Sequence, residues 1–371
     1  MGKKAMIETI NFTEDKLNNL CKNAVELINY SRSVALKEVN YIQLMTYFTL
    51  GKWIVEVQQD GESRAQYGKK VLITLSETLN KEFGQGFSVA TLTNIRKFYL
   101  TYQERVSEQV ITRFVIEKSQ PPVTKLKEEQ PFRLSWSHYL ILMRIDQEDE
   151  RNFYEKQALK EGWGKRELQR QYGSSLYERL LIGKNKEKIL AASQEGQIIE
   201  KPGDIVKDPY VLEFLGLEER VDFSESELES RLIDHLQEFL LELGTGFTFV
   251  ARQKRFTFEE DHFRVDLVFY NRLLQCFVLF DLKTEKLKHQ DLGQMQMYVN
   301  YYDRYEKQDF ENPTIGILMC PDKNDSMVEL TLPENSNIYA SKYQLYLPDK
   351  KLLQNKLKEW LQEETERKSC S

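Results

Sequence analysis

The chain of 371 residues is long enough for two or three domains, and its 41% hydrophobic and 30% charged residues are ordinary for a globular protein. A formal net charge of -6 excludes a wholly basic nucleic-acid-binding coat, although a local basic face remains open. The four cysteines form no CxxC or Cys/His cluster, which argues against a zinc site and fits a reducing cytoplasm. No apolar run reaches the ~18 residues of a membrane span, so we expect no membrane contact.

The first part of the chain has the apolar spacing of helices. We expect a helix over 11–60, a polar turn over 61–68 and a second helix, KKVLITLSETLNKEF. The glycines of GQG end that helix, and Ser88 caps the next one, VATLTNIRKFYLTYQ. A helix, a short glycine turn and a capped helix are the outline of a helix-turn-helix.

The segment from Arg64 to Gln103 is basic within an acidic protein. It carries six Lys or Arg residues against two Glu, a net charge of +4. Arg96 and Lys97, on the capped helix, are therefore the candidate contacts to DNA. An ordinary helical hairpin with a solvated face explains the same pattern, and the spacing alone does not separate the two interpretations.

The middle of the chain suggests the domain limits. A polar stretch over 105–130 predicts an exposed loop, helices resume after residue 134, and a second polar stretch follows near 185–215. We therefore expect a helical N-terminal domain over 1–190 that binds DNA or a partner, a linker over 191–215 and a second domain over 216–371.

The second domain changes character. SESELESRLIDHLQEFLLEL (224–243) predicts one amphipathic helix. Strand candidates follow in FTFVARQKRFTF, FRVDLVFY and LLQCFVLFDLK, then a helix from about 291 to 305 and the apolar strand TIGILMC. This order predicts a mixed sheet with helices on its faces, and an α+β protein overall.

Two acids and a lysine stand inside these apolar strand candidates. Asp281 and Lys283 share one face because residues two apart on a strand point the same way, and Asp266 lies on the preceding strand. A buried carboxylate needs a cation or a donor, and Mg²⁺ or Mn²⁺ on two carboxylates would also drive phosphodiester hydrolysis. Taken singly, each residue is better explained as an edge carboxylate or a weak ion pair, so only the conjunction predicts a nuclease.

Further residues are candidates around these three. Gln294 stands on the following helix, where Tyr298 is expected to pack in the core. Glu229, near the start of the 224–243 helix, would reach the same metal, although acids in a first turn also complement the helix dipole. Gln253 is a candidate contact to nucleic acid, with an ordinary exposed glutamine as the alternative.

Long blocks of the chain resemble a known family. VDLVFY, FDLK and HQDLGQMQMYVNYYD look like the nuclease domain of the YhcG-like PD-(D/E)xK proteins, and YGKKVLITLSETLNKEFGQGFSVATLTNIRKFY looks like their N-terminal part. The resemblance covers residues 25–350 approximately, and it implies a restriction-endonuclease-like fold, a divalent metal and DNA as substrate. It implies catalytic roles for Asp266, Asp281, Lys283 and Gln294, and metal binding by Asp266, Asp281 and Glu229. The chain departs from the motif's spelling, with Val265 before the first acid and Asp rather than Glu as the second.

We therefore predict a cytoplasmic endonuclease dependent on Mg²⁺ or Mn²⁺ that cuts DNA in genome defence or DNA processing. The alternative is a nucleic-acid-binding or scaffold protein with a non-catalytic nuclease fold, which the complete Asp, Asp-x-Lys set disfavours. A double-strand cut usually needs two active sites, so a homodimer is open, as are partner proteins of a defence system.

Overall fold

A computed structural model describes residues 2–59, 64–116, 130–181, 186–197, 199–217, 223–258, 260–333, 336–355 and 357–359. The chain divides into two compact units, Met1–Asp146 and Gln147–Ser371. No helix within the described ranges combines the length and the apolar character needed to cross a membrane.

The first unit contains helices joined by turns, and no strand occurs among its described residues. Its helices are α1 (Gly2–Gln59), α2 (Arg64–Phe83), α3 (Val89–Tyr102), α4 (Glu108–Ile116) and α5 (Trp136–Leu142). α1 crosses α3 closely at Gly51, where an added Cβ would lie 2.6 Å from the Ile95 carbonyl oxygen. An aromatic core surrounds Phe98, whose ring meets those of Phe48, Phe132 and Tyr139 within 6.0 Å.

The predicted pair of helices and its turn are confirmed, with two corrections nearby. Ser88 caps α3 by accepting a hydrogen bond from the Thr91 N–H at 3.2 Å, and Gly84 has a φ of 80° after the end of α2. The turn predicted over 61–68 was wrong in extent, because α2 already begins at Arg64. The loop predicted over 105–130 was wrong in its first part, where α4 forms around the buried Ile111. A nine-residue helix gives too short an apolar period to stand out in a polar segment.

The second unit carries the sheet. Its helices are α6 (Glu148–Glu161), α7 (Lys165–Gly173), α8 (Leu176–Leu181), α9 (Lys186–Glu195), α10 (Glu225–Asp234), α11 (Leu236–Leu243), α12 (His289–Tyr301) and α13 (Asp325–Thr331). Its strands are β1 (Tyr210–Val211), β2 (Phe247–Phe258), β3 (Asp261–Asn271), β4 (Cys276–Leu282), β5 (Ile315–Cys320) and β6 (Ile338–Gln344). The order is β1-β6-β5-β4-β3-β2, antiparallel from β2 to β4 and parallel from β4 to β1. The predicted α+β class and mixed sheet are confirmed.

Apolar side chains cover both faces of this sheet. On one face Leu228 and Phe239, from α10 and α11, pack with Phe280. On the other face Met295 of α12 packs with Leu279. α12 lies close because β5 has Gly316 beneath it, where a Cβ would fall 2.6 Å from Met295 Sδ. β4 is therefore held in the middle of a two-sided core.

Several features of the second unit differ from the sequence expectations. The helix predicted over 224–243 is broken at His235, whose φ of -111° and ψ of 35° are not helical. β1 and β6 were not predicted. The interval 191–215, predicted to be a linker, contributes β1 and the fully buried Tyr210 to the sheet domain. Cys276 and Cys320 are buried free thiols.

Candidate active site

Asp266 and Asp281 occupy matching positions on adjacent antiparallel strands. The ladder between β3 and β4 pairs Leu267 with Phe280. Asp266 precedes Leu267 and Asp281 follows Phe280, so in an antiparallel pair the two acids are opposite one another. Residues opposite one another in such a pair project from the same face, with ~5 Å between their Cβ atoms. Asp281 is only 3% exposed. The prediction that the two acids lie on neighbouring strands is confirmed.

Lys283 lies beside Asp281, as the two-residue spacing predicts. Its Nζ is 2.8 Å from Asp281 Oδ2 and 3.9 Å from Glu225 Oε2. The backbone holds the lysine in place, since its N–H donates to the Met319 carbonyl at 2.8 Å and its carbonyl accepts from Tyr343 Oη at 3.2 Å. Lys283 is therefore fixed by the backbone of the neighbouring β5 and by a side chain of β6, the next strand along.

Asp266 is held by two donors from opposite sides. Its Oδ2 accepts the Leu282 N–H at 2.8 Å, and its Oδ1 accepts from Gln253 Nε2 at 2.9 Å. Gln253 is a non-glycine residue with a φ of 48°, within an otherwise extended strand. Such a conformation costs energy and is retained where surrounding contacts impose it. Here it turns the amide of Gln253 towards the acids.

Glu229 reaches the site through Gln253 instead of joining the two aspartates directly. The Gln253 Nε2 that donates to Asp266 also donates to Glu229 Oε2 at 2.5 Å. The other oxygen of Glu229 accepts from Arg252 Nε. Both carboxylate oxygens of Glu229 are thus engaged, and its metal-binding role stays a prediction. Gln253 lies between acids, and its contact to nucleic acid also stays a prediction.

The two aspartates are poorly compensated for their burial. Burial and the neighbouring Asp281 raise the pKa of Asp266 to about 7. Burial raises the pKa of Asp281 as well, against the opposing effect of Lys283. Burial lowers the pKa of Lys283, but the adjacent Asp281 reverses that effect and the net pKa is raised. The lysine is therefore a permanent cation, whereas Asp266 titrates near neutrality.

Tyr298 of α12 contacts a candidate site residue, although the sequence predicted only a packing role for it. Gln294 Nε2 donates to Tyr298 Oη, and the Tyr298 side chain is buried as expected. Burial raises the pKa of Tyr298 to about 12, and Asp281 and Asp266 contribute in the same direction. The charges of the two aspartates therefore act on the Tyr298 hydroxyl. Its spacing of four residues from Gln294 was the available sequence signal.

Two further acids near the site were missed. Glu225 and Asp291 both act on the pKa values of Asp281 and Lys283. Glu225 opens α10, and Asp291 lies in the first turn of α12, where it accepts the Lys288 N–H at 2.8 Å. Each also has the ordinary role of an acid at a helix start, which hides it in the sequence. With these acids, the site is negative overall and repels a phosphate unless a cation is added.

The residues present fit a hard divalent cation. Lys283 Nζ lies 2.8 Å from Asp281 Oδ2, so this one lysine offsets only part of the charge of the two carboxylates, and a further cation would complete the compensation. Mg²⁺ and Mn²⁺ take oxygen ligands and are commonly held by one or two carboxylates plus water. No group of three His, Cys, Asp or Glu ligands converges anywhere in the described part of the chain. Asp266 and Asp281 form a carboxylate pair, which offers two ligands of the type that such an ion takes.

Arg96 and Lys97 lie on α3 in the first unit. Lys97 is exposed, while Arg96 is partly buried and its Nε has no hydrogen-bond partner. α2 and α3 share an apolar contact through Leu72, Leu92 and Ile95. The two-helix outline predicted from the sequence is thus present, and its contact with DNA stays a prediction.

Comparison with known proteins matches both parts of the chain. Residues 203–358 match the model of the YhcG PDDEXK nuclease domain, and residues 23–179 match the DUF1016 N-terminal domain. A protein of Escherichia coli (strain K12) named "Putative nuclease YhcG" is 36% identical over 344 residues, covering 90% of this chain and 91% of the relative.

Two solved structures show weaker likeness. A repair endonuclease from Pyrococcus abyssi gives a TM-score of 0.24 at 20% identity, over 36% of this chain and 50% of that one. The EndoMS chain of an EndoMS-dsDNA2 complex gives a TM-score of 0.25 at 21% identity, over 36% of this chain and 49% of that one. The match spans about half of each solved chain, and at these TM-scores it supports no conclusion about the activity of this chain.

Proposed function

The chain belongs to the YhcG family of PDDEXK nucleases, and from that premise we propose that it is a divalent-metal-dependent endonuclease acting on DNA. The observation that carries the proposal is the set of Asp266 in the middle of β3, Asp281 near the end of β4 and Lys283 just beyond it. The sharing of one lysine by two carboxylates and the raised pKa of Asp266 support a cation there. Mg²⁺ or Mn²⁺ are the ions that this oxygen set suits best.

A bound divalent ion would activate the attacking water and offset the negative charge of the phosphate. Around it, each residue has a separate task. Asp266 must be deprotonated to act as a ligand, and the donors Leu282 N–H and Gln253 Nε2 fix its orientation. Lys283 presents a cation to the phosphate oxygens, where charge builds up in the transition state. Because Lys283 has a raised pKa, it keeps that charge throughout the working pH range.

Plasmid cleavage tests the catalytic proposal. Purified full-length protein is incubated with supercoiled DNA and Mg²⁺, Mn²⁺ or EDTA, and compared with Lys283→Gln. We expect metal-dependent nicking, and a loss of about a hundredfold to a thousandfold in rate for the variant. Glu285→Gln is the matched control, because this nearby carboxylate is 74% exposed and pairs only with Lys288 among its described neighbours. Equal nicking by wild type and Lys283→Gln would reject the proposal.

We also propose that α2 and α3 contact the DNA backbone through Arg96 and Lys97. A free cation near a phosphate adds about -0.9 to the slope of log affinity against log salt concentration. The Arg96→Ala/Lys97→Ala double variant should therefore bind duplex DNA more weakly, with a slope that is less negative by about 1.8. Lys22→Ala/Lys37→Ala removes the same charge from exposed positions on α1 and serves as control. An unchanged slope in the α3 variant would leave the first unit as a protein-interaction module.

The alternative, a nuclease fold that binds nucleic acid without cutting, predicts DNA binding with no metal-dependent cleavage by any variant. We propose the cytoplasm as the compartment, because the buried thiols Cys276 and Cys320 suit a reducing environment. A role in genome defence or DNA processing rests on the family alone.

A further inference from the structure

Helix α1 carries more apolar surface than the first unit buries. One face supplies core residues, among them Tyr41, Leu44 and Phe48, all at most 2% exposed. The same helix exposes another set of large apolar side chains over residues 25–57. A helix that is apolar on opposite sides is normally covered on both. The second face therefore has no cover among the described residues of the first unit.

The uncovered residues follow a heptad pattern, which we call the α1 stripe. Its members are Cys21, Val25, Ile28, Ala35, Val39 and Ile42, with Arg32 at the remaining position. The steps between these positions alternate between three and four residues, the seam of a coiled coil. Exposure is high along it, at 57% for Val25, 51% for Ile28, 62% for Val39 and 41% for Ile42.

The Val39 end of the α1 stripe lies on the side of α1 opposite the buried Phe48, whereas residues 21–37 are exposed on every side of the helix. Val39 and Phe48 are nine residues apart, which at ~100° per residue places them on opposite sides of the helix. Phe48 is 0% exposed, whereas Val39 is 62% exposed. α3 packs on the Phe48 side, where the rings of Phe48 and Phe98 meet.

We propose that the α1 stripe binds the α1 stripe of a second copy of this chain, as an antiparallel helix pair. A two-fold axis between residues 33 and 34 stacks Val25 on the partner's Ile42 and Ile28 on the partner's Val39. Every apolar layer is then filled by β-branched side chains, and the contact is isologous, as in most dimers.

The charge at Arg32 selects the antiparallel arrangement. A parallel, in-register pair would place Arg32 against the partner's Arg32, which is unfavourable because like charges meet in a partly apolar seam. The antiparallel pair places Arg32 across from the partner's Ala35. That residue is small enough to make room for a long side chain, and the partner's Glu38 follows it by one helical turn.

The area available matches what a dimer needs. Val25, Ile28, Val39 and Ile42, with the flanking Leu36 at 63% exposure, present roughly 450 Å² of apolar surface. A standard interface buries ~800 Å² per partner, a little over half of it apolar. The stripe thus supplies the apolar share, and the polar side chains beside it supply the rest.

Sedimentation of the full-length protein at micromolar concentration tests the proposal. We expect twice the chain mass of 44.0 kDa for the wild type and the single-chain mass for Ile28→Glu. Leu27→Glu is the matched control, because Leu27 is 65% exposed but lies off the stripe. It should remain dimeric. A monomeric wild type, or an Ile28→Glu variant that dimerises as well as Leu27→Glu does, would overturn the proposal. Circular dichroism confirms that both variants keep their helices.

Disulfide trapping tests the register. In a background of Cys21→Ser and Cys370→Ser, protein carrying Ile28→Cys is mixed with protein carrying Val39→Cys and oxidised. The antiparallel pair predicts a mixed disulfide between the two proteins. Disulfides joining two Ile28→Cys chains in preference would instead show a parallel pair and reject the arrangement. Both experiments measure association, so their failure is distinct from failure of the nuclease proposal. A dimer carries two sites, the number that a double-strand cut usually needs.

Discussion

The second unit contains two buried groups of charges that differ in how well they are compensated. The first, the structural cluster, is Glu242 with Arg179, Arg170 and Lys207. The second, the site cluster, is Asp266 and Asp281 with Lys283. Both contain deeply buried carboxylates, and Glu242 is 0% exposed while Asp281 is 3% exposed. Burial is therefore not what separates them.

The two clusters differ in how many cations and hydrogen-bond donors surround each buried carboxylate. Glu242 accepts hydrogen bonds from Arg179 Nη1 at 2.6 Å and from the Val211 N–H at 3.0 Å. Burial alone raises the pKa of Glu242, but the cations around it reverse the shift and hold it at about 2. In the site cluster one lysine faces two acids, and the pKa of Asp266 rises to about 7.

The difference shows what each group does. A buried charge with its full set of partners fixes packing, here of α8 and α11 around β1. A buried charge left short of partners marks a place where a ligand supplies the missing charge. In the site cluster the missing charge is positive, and the ligand set suits a divalent ion.

The largest effect should come from removing the carboxylate of Asp281. Asp281→Asn keeps the shape of the side chain but removes a charged ligand. We expect cleavage to fall by about four orders of magnitude, or ~5.5 kcal/mol in activation free energy. The unfolding free energy should not fall. Quantitative plasmid cleavage and urea denaturation measure the two effects. Substantial residual cleavage by Asp281→Asn would contradict the role of Asp281 as a ligand to the ion.

The next effect falls on the structural cluster. Arg179→Ala leaves Glu242 buried with an incomplete set of cations, so we expect a loss of about 3–5 kcal/mol in unfolding free energy. Cleavage per folded molecule should be unchanged. Lys288→Ala, which removes a lysine from an exposed ion pair, should leave stability unchanged. If Arg179→Ala unfolds at the same urea concentration as wild type, the compensation argument is wrong.

A smaller effect concerns pH and Asp266. The raised pKa means that the metal-free folded protein retains a proton that the unfolded chain releases. Its contribution to stability is complete below pH 3.8 and is lost as pH rises through about 7. Asp266→Asn does not titrate, so above pH 7 it should be more stable than metal-free wild type by ~2 kcal/mol, after allowance for partial exposure. Chelator-treated proteins compared by urea denaturation at pH 5 and pH 8 provide the check; equal differences at both pH values would contradict it.

The sequence predicted the parts of the site that follow from strand periodicity. Alternation placed Asp281 and Lys283 on one face, and two consecutive apolar strands implied that Asp266 would be adjacent. It could not reveal that Gln253 has a positive φ and bridges Asp266 to Glu229, because that conformation is imposed by tertiary contacts. It also singled out Glu229, whereas Glu225 is the acid near Lys283.

The fold was predictable to a similar degree. The apolar spacing of long segments predicted α1 and α3, and apolar runs predicted the central strands. β1 has only two residues and exists because Tyr210 and Val211 pair with β6, more than a hundred residues later. The local pattern of apolar residues cannot predict a pairing between strands so far apart in the chain. The break at His235 was hidden because the apolar spacing continues across it from α10 to α11.

The central claim is that Asp266 and Asp281 bind a divalent cation. Electron paramagnetic resonance of Mn²⁺ at neutral pH tests it most directly, because the method detects binding of the ion without requiring cleavage. We predict one saturable Mn²⁺ site per wild-type chain, lost in the folded Asp266→Asn/Asp281→Asn double variant and retained in Glu285→Gln. Absence of saturable binding by the wild type, or equal binding by the double variant, would contradict the assignment of these two carboxylates as the site of a divalent ion.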